Sequence, residues 1–320
     1  MYGYALPPAT TPSYFALCNM THKMRSVMGD VRDASCLTRA MQSAKPDIVI
    51  HLAAQPLVRE SYLEPLATLE TNVMGTANLL EAMRRTPSVR AAVIVTSDKC
   101  YHPNGASGRH CEHDRLGGVD PYSSSKACAE LVTAAYTQSF FQSVANPIAV
   151  ATVRAGNVIG GGDWAQNRIV PDAIRALRRS EPLLVRNPNA IRPWQHVIEP
   201  LAGYLMLAGK LFEEGLKWAG GWNFGPGRGS EITVGQLADL LIANWGTGSW
   251  HRSQERNARP ETAALRLNST KALAELGWSS RLTIEETIDL TIDWYRRALH
   301  ADNGDMYAFS AQQIHQYDGQ

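Results

Sequence analysis

Three short apolar runs constrain the fold of this chain more than anything else in it: Ile48-Val49-Ile50-His51-Leu52, Ala92-Val93-Ile94-Val95-Thr96 and Ile148-Ala149-Val150-Ala151-Thr152-Val153-Arg154. None alternates apolar with polar, so each reads as a strand covered on both faces, the arrangement typical of a parallel sheet. Parallel neighbours need a crossover between them, and the intervening sequence has the period of a helix. One helix is expected over 65–85, with Leu69, Val73, Thr76, Leu80 and Met83 facing inward and Pro65 in its first turn. The fold class is therefore α/β, a Rossmann-type doubly wound parallel sheet. Ligands of such sheets bind beyond the carboxyl ends of the strands.

The residues at those ends are chemically able. Ala92–Thr96 delivers Ser97-Asp98-Lys99-Cys100-Tyr101, and Pro121-Tyr122-Ser123-Ser124-Ser125-Lys126 follows two dozen residues on. The second motif opens a helix whose apolar residues Ala127, Leu131, Ala134 and Ala135 recur at helical spacing. Tyr122 and Lys126, four apart, share one of its faces. A cation beside a phenol lowers its pKa from about 10 toward the range in which it acts as a base. Tyr122, Lys126, Ser97, Asp98 and Lys99 are the candidate catalytic residues.

Composition removes several functions. The 320 residues carry a formal charge of +1, which leaves no electrostatic footprint for nucleic acid or an anionic membrane. No apolar run approaches the roughly 20 residues of a membrane span. The first residues lack the basic and apolar regions of a signal peptide, so a cytoplasmic location is expected. Five cysteines with no C-x-x-C pair indicate neither a disulfide framework nor a zinc site, and no metal is expected. Cys100 reads as a small packing residue and His51 as an interior histidine.

Elsewhere the signals are local. Val27-Met28 leads into Gly29-Asp30-Val31-Arg32-Asp33, a short strand before a helix that Asp33 would cap. Gly160-Gly161-Gly162 lacks the Lys-Ser/Thr of a Walker loop. Thr233-Val234-Gly235-Gln236 and Thr283-Ile284-Glu285-Glu286 are capping boxes, the second opening the last helix expected. The tail after His300 is polar and yields no reading. A dinucleotide-binding domain should open with a strand and a Gly-x-x-Gly-x-x-Gly turn. This sequence opens with Met1-Tyr2-Gly3-Tyr4-Ala5-Leu6-Pro7-Pro8, and no such turn precedes the first clear helix.

Together the Ser-Asp-Lys strand end, Tyr122-x-x-x-Lys126, Ala53–Val58, Arg154–Trp164 and Arg192–Val197 resemble the extended, nucleotide-sugar-modifying branch of the short-chain dehydrogenase/reductases. The resemblance implies NAD as cofactor. It sets Asp30 and Val31 beside the adenine and runs Leu52, Ala53, Ala54 and Gln55 along pyrophosphate and ribose. Thr71, Thr96, Tyr122 and Lys126 complete the cofactor contacts it implies. Asn157 would face cofactor and substrate, while Arg168, Arg192 and Arg259 would hold a nucleotide diphosphate. Relative to that branch the chain looks to lack the first strand, glycine loop, first helix and most of the second strand. The natural start is therefore expected upstream, and two buried sheet edges are expected to be unpaired.

Within the branch the motifs are most similar to the 4,6-dehydratases that act on CDP-glucose. That implies Tyr122 as the base for the sugar 4-hydroxyl, Lys99 as the base at carbon 5 and Asp98 as the acid at the 6-hydroxyl. Dehydratases of thymidine-diphosphate sugars carry Asp-Glu at this step, and here the second residue is Lys99. A lysine serves as base only when its pKa of about 10.4 is lowered. The resemblance also implies a homodimer, through a helix bundle that includes the Tyr122 helix. Residues 1–157, with segments near 195–230, would form the NAD-binding domain, and 158–320 mainly a smaller, interleaved nucleotide-sugar-binding domain. Two alternatives stand beside this reading: another epimerase or dehydratase of the same superfamily, and an inert remnant that only binds a nucleotide sugar or a partner.

Overall fold

A computed structural model describes residues 1–103, 108–142, 145–227, 229–254, 266–300 and 304–319. All three apolar runs are strands of one parallel sheet. Its order is β3 (Ile48–His51), β4 (Ala91–Val95), β5 (Ala149–Ala155) and β9 (Gly220–Phe224). A second parallel pair joins β1 (Tyr2–Ala5) to β2 (Arg25–Met28). The sheet is thus in two pieces, because among the described residues β1 pairs only with β2 and β3 only with β4. The expected unpaired edges are present, but they are not buried. Ile48 is 37% and Leu52 58% exposed, since no neighbouring strand covers them.

Helices cover both faces of the four-stranded sheet. On one side Leu79, Leu80 and Met83 pack on Ala92, Ile94 and Val150, and on the other Tyr204, Leu207 and Leu211 pack on Val93, Ala151 and Val153. Each fully buried side chain of this size contributes about 1.5–3 kcal/mol, so these layers fix the sheet that presents the strand ends.

One helix departs from its expected face, and the face of a second becomes defined. The helix expected over 65–85 is Pro65–Leu69, a π-turn Glu70–Met74 and Gly75–Arg84. The π-turn adds a residue to the turn, so Leu69 swings outward while Thr68, Asn72 and Thr76 turn in. In the Tyr122 helix (Pro121–Tyr136), Asp120 caps the first turn through the Ser123 amide. Its buried face carries Tyr122, Lys126, Glu130 and Thr133 with Ala127 and Ala129 between them, whereas Leu131, Ala134 and Ala135 are exposed. Polar groups point inward here because strand-end and strand-borne partners meet them.

The later chain builds a second layer. Strand β8 (Ile191–His196) pairs in parallel with β6 (Asn157–Ile159) and antiparallel with β10 (Glu231–Thr233), while β7 (Leu183–Val185) pairs with β11 (Trp250–Arg252). Both capping boxes form, at Thr233 and Thr283. Their helices bury Leu237, Ala238, Leu241, Ile288 and Ile292 in one cluster. The polar tail holds a further helix, Met306–Asp318, capped by Asp305. Tyr317 donates to Glu199, which also accepts from the amides of Arg281 and Leu282. That helix escapes sequence reading because it buries only single residues, Met306, Ser310, Gln313 and Tyr317, among polar ones.

Candidate active site

Strand β4 ends in a single 3-10 turn, Asp98–Cys100, and Ser97 caps it by accepting from the Lys99 amide. Asp98, only 2% exposed, receives both the Ser97 hydroxyl at 2.9 Å and the Lys99 ammonium at 3.2 Å on one oxygen, Oδ1. Gly156 lies against this carboxyl, and a side chain there would meet Pro193 and Asp98 Oδ2. Tyr122 comes to the same place from the start of its helix. Burial raises its pKa, opposed by the Lys99 charge, a Ser97 hydrogen bond and Arg168. The cation that chiefly favours the phenolate is therefore Lys99, not Lys126 as the four-residue spacing alone implied.

Lys126 instead turns toward the strand, donating to the Val95 carbonyl at 3.2 Å. Burial brings its pKa down to about 8, against Cys100 and Glu130, and its charge helps keep nearby His51 neutral. His51 contacts the Thr76 hydroxyl and is the interior residue expected. For Lys99, burial works to lower the pKa, but the Asp98 carboxylate and Tyr122 outweigh it, and the group stays an ammonium. A free-amine base at Lys99 is thus not the resting state. Cys100 is fully buried and its thiol pushed well up by that burial, as a packing residue should be.

Other expected residues are dispersed. Asp30 sits at the end of β2, clamped by Arg32 at 2.6 and 2.9 Å, and Val31 packs on Gly75. Ala53 and Ala54 are half-buried beyond β3, and Thr71 is half-buried on the π-turn. Gln55 is fixed by Asn72, which accepts from its amide and donates to its carbonyl and to Ser125. Thr96 was expected at the cofactor, yet its hydroxyl turns back to Glu130 at 2.5 Å. Asn157 carries a buried Oδ1 with no partner among the described residues. Arg168 pairs with Asp163 at 2.8 Å, and the Arg192 charge reaches Lys99. Arg259 lies outside the described residues.

Sequence reasoning missed what stands behind the site. Glu130 is buried one turn beyond Lys126 and accepts from Thr96, Thr152 and two nitrogens of buried Arg154. Arg154 also donates to the Tyr101 hydroxyl, which donates to Asn223. The available signal was the charged residue closing an otherwise apolar strand, since a buried arginine requires a buried partner.

A parallel sheet presenting Ser-Asp-Lys at a strand end, faced by a Tyr-x-x-x-Lys helix, defines an extended short-chain dehydrogenase/reductase. The chain belongs to the GDP-mannose 4,6 dehydratase family, which matches residues 15–291. It is 42% identical over 319 residues to CDP-glucose 4,6-dehydratase of Salmonella typhimurium, covering 98% of this chain and 88% of that one. It is 30% identical to dTDP-glucose 4,6-dehydratase of Streptomyces antibioticus, covering 84% and 76%. Among solved structures, a double mutant of DesIV, the dTDP-glucose 4,6-dehydratase of Streptomyces venezuelae, with NAD and DAU bound, superposes with a TM-score of 0.74 at 26% identity. The match covers 88% of this chain and 82% of that one. UDP-glucose 4-epimerase of Thermotoga maritima shares the fold, with a TM-score of 0.76 at 20% identity, over 94% of this chain and all of the other.

Proposed function

We propose that this chain converts CDP-glucose to its 4-keto-6-deoxy product with NAD as resident cofactor. The observation that carries the reading is the convergence of an acid–base pair, Asp98 with Lys99, on the buried Tyr122. An epimerase needs only the tyrosine half of that arrangement. The similarity to the Salmonella enzyme supports cytosine as the base.

The residues fit the nicotinamide-ribose end of the cofactor. Lys126 is buried and donates to Val95 alone among the described residues, and an ammonium has three donors. Lys126, Tyr122, Ala53 and Ala54 would hold that end. Bound there, NAD would supply a hydride acceptor for carbon 4 and a donor for carbon 6.

Tyr122 takes the proton of the 4-hydroxyl while Lys99, still an ammonium, supports its phenolate. Once Tyr122 is neutral, the Lys99 proton is available to Asp98 along the existing hydrogen bond. That one transfer makes both groups elimination requires, an amine and a carboxylic acid. Closing the site to water favours it, because a buried neutral pair escapes the desolvation cost of an ion pair. Lys99 then takes the carbon 5 proton, acidified by the neighbouring ketone, and Asp98 protonates the 6-hydroxyl, which departs as water. Lys99 returns its proton to carbon 5 as carbon 6 is reduced, and the proton gained by Tyr122 replaces the one Asp98 released.

The candidate for the nucleotide end is an open cavity of about 360 Å³ lined by Arg59, Arg175, Arg179 and Arg186, with Asp172, the ion-pair partner of Arg175, and Glu181 also on its wall. It adjoins Arg168, and arginine forks suit phosphate oxygens. Arg192, whose charge acts on Lys99, is assigned to the same diphosphate. The cofactor domain comprises 1–157 and segments near 195–230, the remainder mainly the sugar-nucleotide domain. Exposed Leu66, Leu69 and Leu131, on helices that pack together beside the site, support a homodimer through that face. No helix among the described residues is long and apolar enough to cross a membrane. Five free thiols suit the reducing cytoplasm.

The test is incubation with CDP-glucose and NAD+, following the 4-ketone by its ultraviolet absorbance in base. A 4-keto-6-deoxy product is expected. CDP-galactose without a keto product would replace this reading with an epimerase, and no turnover with retained nucleotide-sugar binding would replace it with a binding remnant.

A further inference from the structure

The two halves of the site stand on separate elements. Tyr122 and Lys126 ride on a helix, whereas Ser97, Asp98 and Lys99 ride on a one-turn loop after β4. Among the described residues, one side chain from a third element, Arg154, bonds to both supports. Arg154, on β5, directs Nε and Nη2 at the Glu130 carboxylate, at 2.7 and 2.8 Å, and Glu130 is one turn beyond Lys126. The same guanidinium directs Nη1 at the Tyr101 hydroxyl at 2.6 Å and the Glu112 carbonyl at 2.9 Å, and Tyr101 directly follows the Asp98–Cys100 turn.

We propose that Arg154 is a positioning residue, a brace that sets the spacing between the Tyr122 helix and the Asp98–Lys99 turn. The brace is rigid for three reasons. A guanidinium is a planar fork that cannot serve one partner without fixing the direction of the other. Both ends are fully engaged: Glu130 accepts four bonds, two of them from Thr96 and Thr152, and Tyr101 donates a hydrogen bond to Asn223 Oδ1 and stacks on His110 at 4.6 Å. The ion pair is almost completely buried, at 5% and 4% exposure, so neither partner can turn to water.

The consequence is functional and not merely structural. Oxidation needs Lys99 near Tyr122, and elimination needs Asp98 and Lys99 on the same sugar. A slackened brace lets the two halves drift, so carbon 4 is oxidised without water being lost. This inference rests on the dehydratase reading for its product assay, but the apposition of Lys99 and Tyr122 can be read without substrate or cofactor.

Tyr101→Phe removes only the hydroxyl that Arg154 holds. Tyr122 ionisation, isolated as the ultraviolet difference between each protein and its Tyr122→Phe counterpart, should move to higher pH in Tyr101→Phe. A half-unit shift, about a threefold fall in the ionised-to-neutral ratio at fixed alkaline pH, is expected. Thr152→Val removes one of the four bonds to Glu130 but leaves both guanidinium bonds and the turn in place, so it should move that titration by less than Tyr101→Phe does. Arg154→Lys keeps a cation against Glu130 but cannot fork to Tyr101, and is expected to behave as Tyr101→Phe, so a poorly folding first variant does not block the test. In turnover, the share of 4-ketose retaining its 6-hydroxyl should rise in both variants. An unmoved titration in folded Tyr101→Phe or Arg154→Lys, or an equal shift in Thr152→Val, overturns the brace. Absence of any keto product from the unmutated chain overturns the dehydratase reading instead, and the titration still decides the brace.

Discussion

Lys126 makes the stability of this protein depend on pH in an unusual direction. Its ammonium is buried with one hydrogen-bond partner among the described residues, the Val95 carbonyl, and burial brings its pKa from 10.5 to about 8. The unfolded chain therefore binds more protons than the folded one between pH 8 and 10.5, and stability rises with pH through that window. At pH 7 the protonated group costs about 3 kcal/mol, and by pH 9.5 this falls to about 1.4 kcal/mol, a gain of roughly 2 kcal/mol. The perturbation is Lys126→Met, similar in length and without charge. Urea unfolding of both proteins at pH 7 and 9.5 isolates the term, since every other group is common to the pair. Relative to Lys126→Met, the unmutated chain should gain about 2 kcal/mol on going to pH 9.5. Parallel behaviour of the two proteins, or a relative loss, would refute the assignment of a buried, weakly partnered ammonium.

Other consequences are more direct. Tyr122→Phe should leave folding intact, as measured by circular dichroism, and lower turnover by about 10²–10⁴-fold, the usual worth of a general base. Arg154→Met leaves the Glu130 carboxylate buried without its cation. It should cost about 3–5 kcal/mol in urea unfolding at neutral pH. That cost should shrink at mildly acid pH, because the carboxyl that Arg154, Thr96 and Thr152 hold below the usual range against burial will then protonate readily. Lys99→Met should abolish water loss while raising the pH at which carbon 4 oxidation sets in, visible as an alkaline shift of the rate profile. Leu131→Arg, on the exposed stripe of the Tyr122 helix, should convert a dimer to monomers in analytical ultracentrifugation with little change in monomer stability.

Much of this protein was determined locally. The strands Ile48–His51, Ala91–Val95 and Ala149–Ala155 follow from uninterrupted apolar runs, and the helix starts at Asp33, Thr233 and Thr283 from capping residues whose side chains reach the amide three residues on. Both depend on neighbours in sequence, so the chain itself carries the signal. The site motifs were legible for the same reason: a strand end and a helix start are local features, and a parallel sheet brings them together.

What only the tertiary structure decided depends on which distant group meets which face. Apolar periodicity in the Tyr122 helix did not say whether Ala127, Leu131, Ala134 and Ala135 face the core or a partner. Ala127 is buried and the other three are exposed, and the helix buries its polar face because Val95, Thr96, Thr152 and Arg154 await it there. Lys126 was the expected activator of Tyr122 by spacing, and Lys99, from an element two dozen residues away, is the larger influence. The Thr96 hydroxyl joins the Glu130 network by the same logic. A buried charge takes its meaning from its partner, and partners supplied by separate strands, a loop and a helix leave no periodic trace in the sequence that names them.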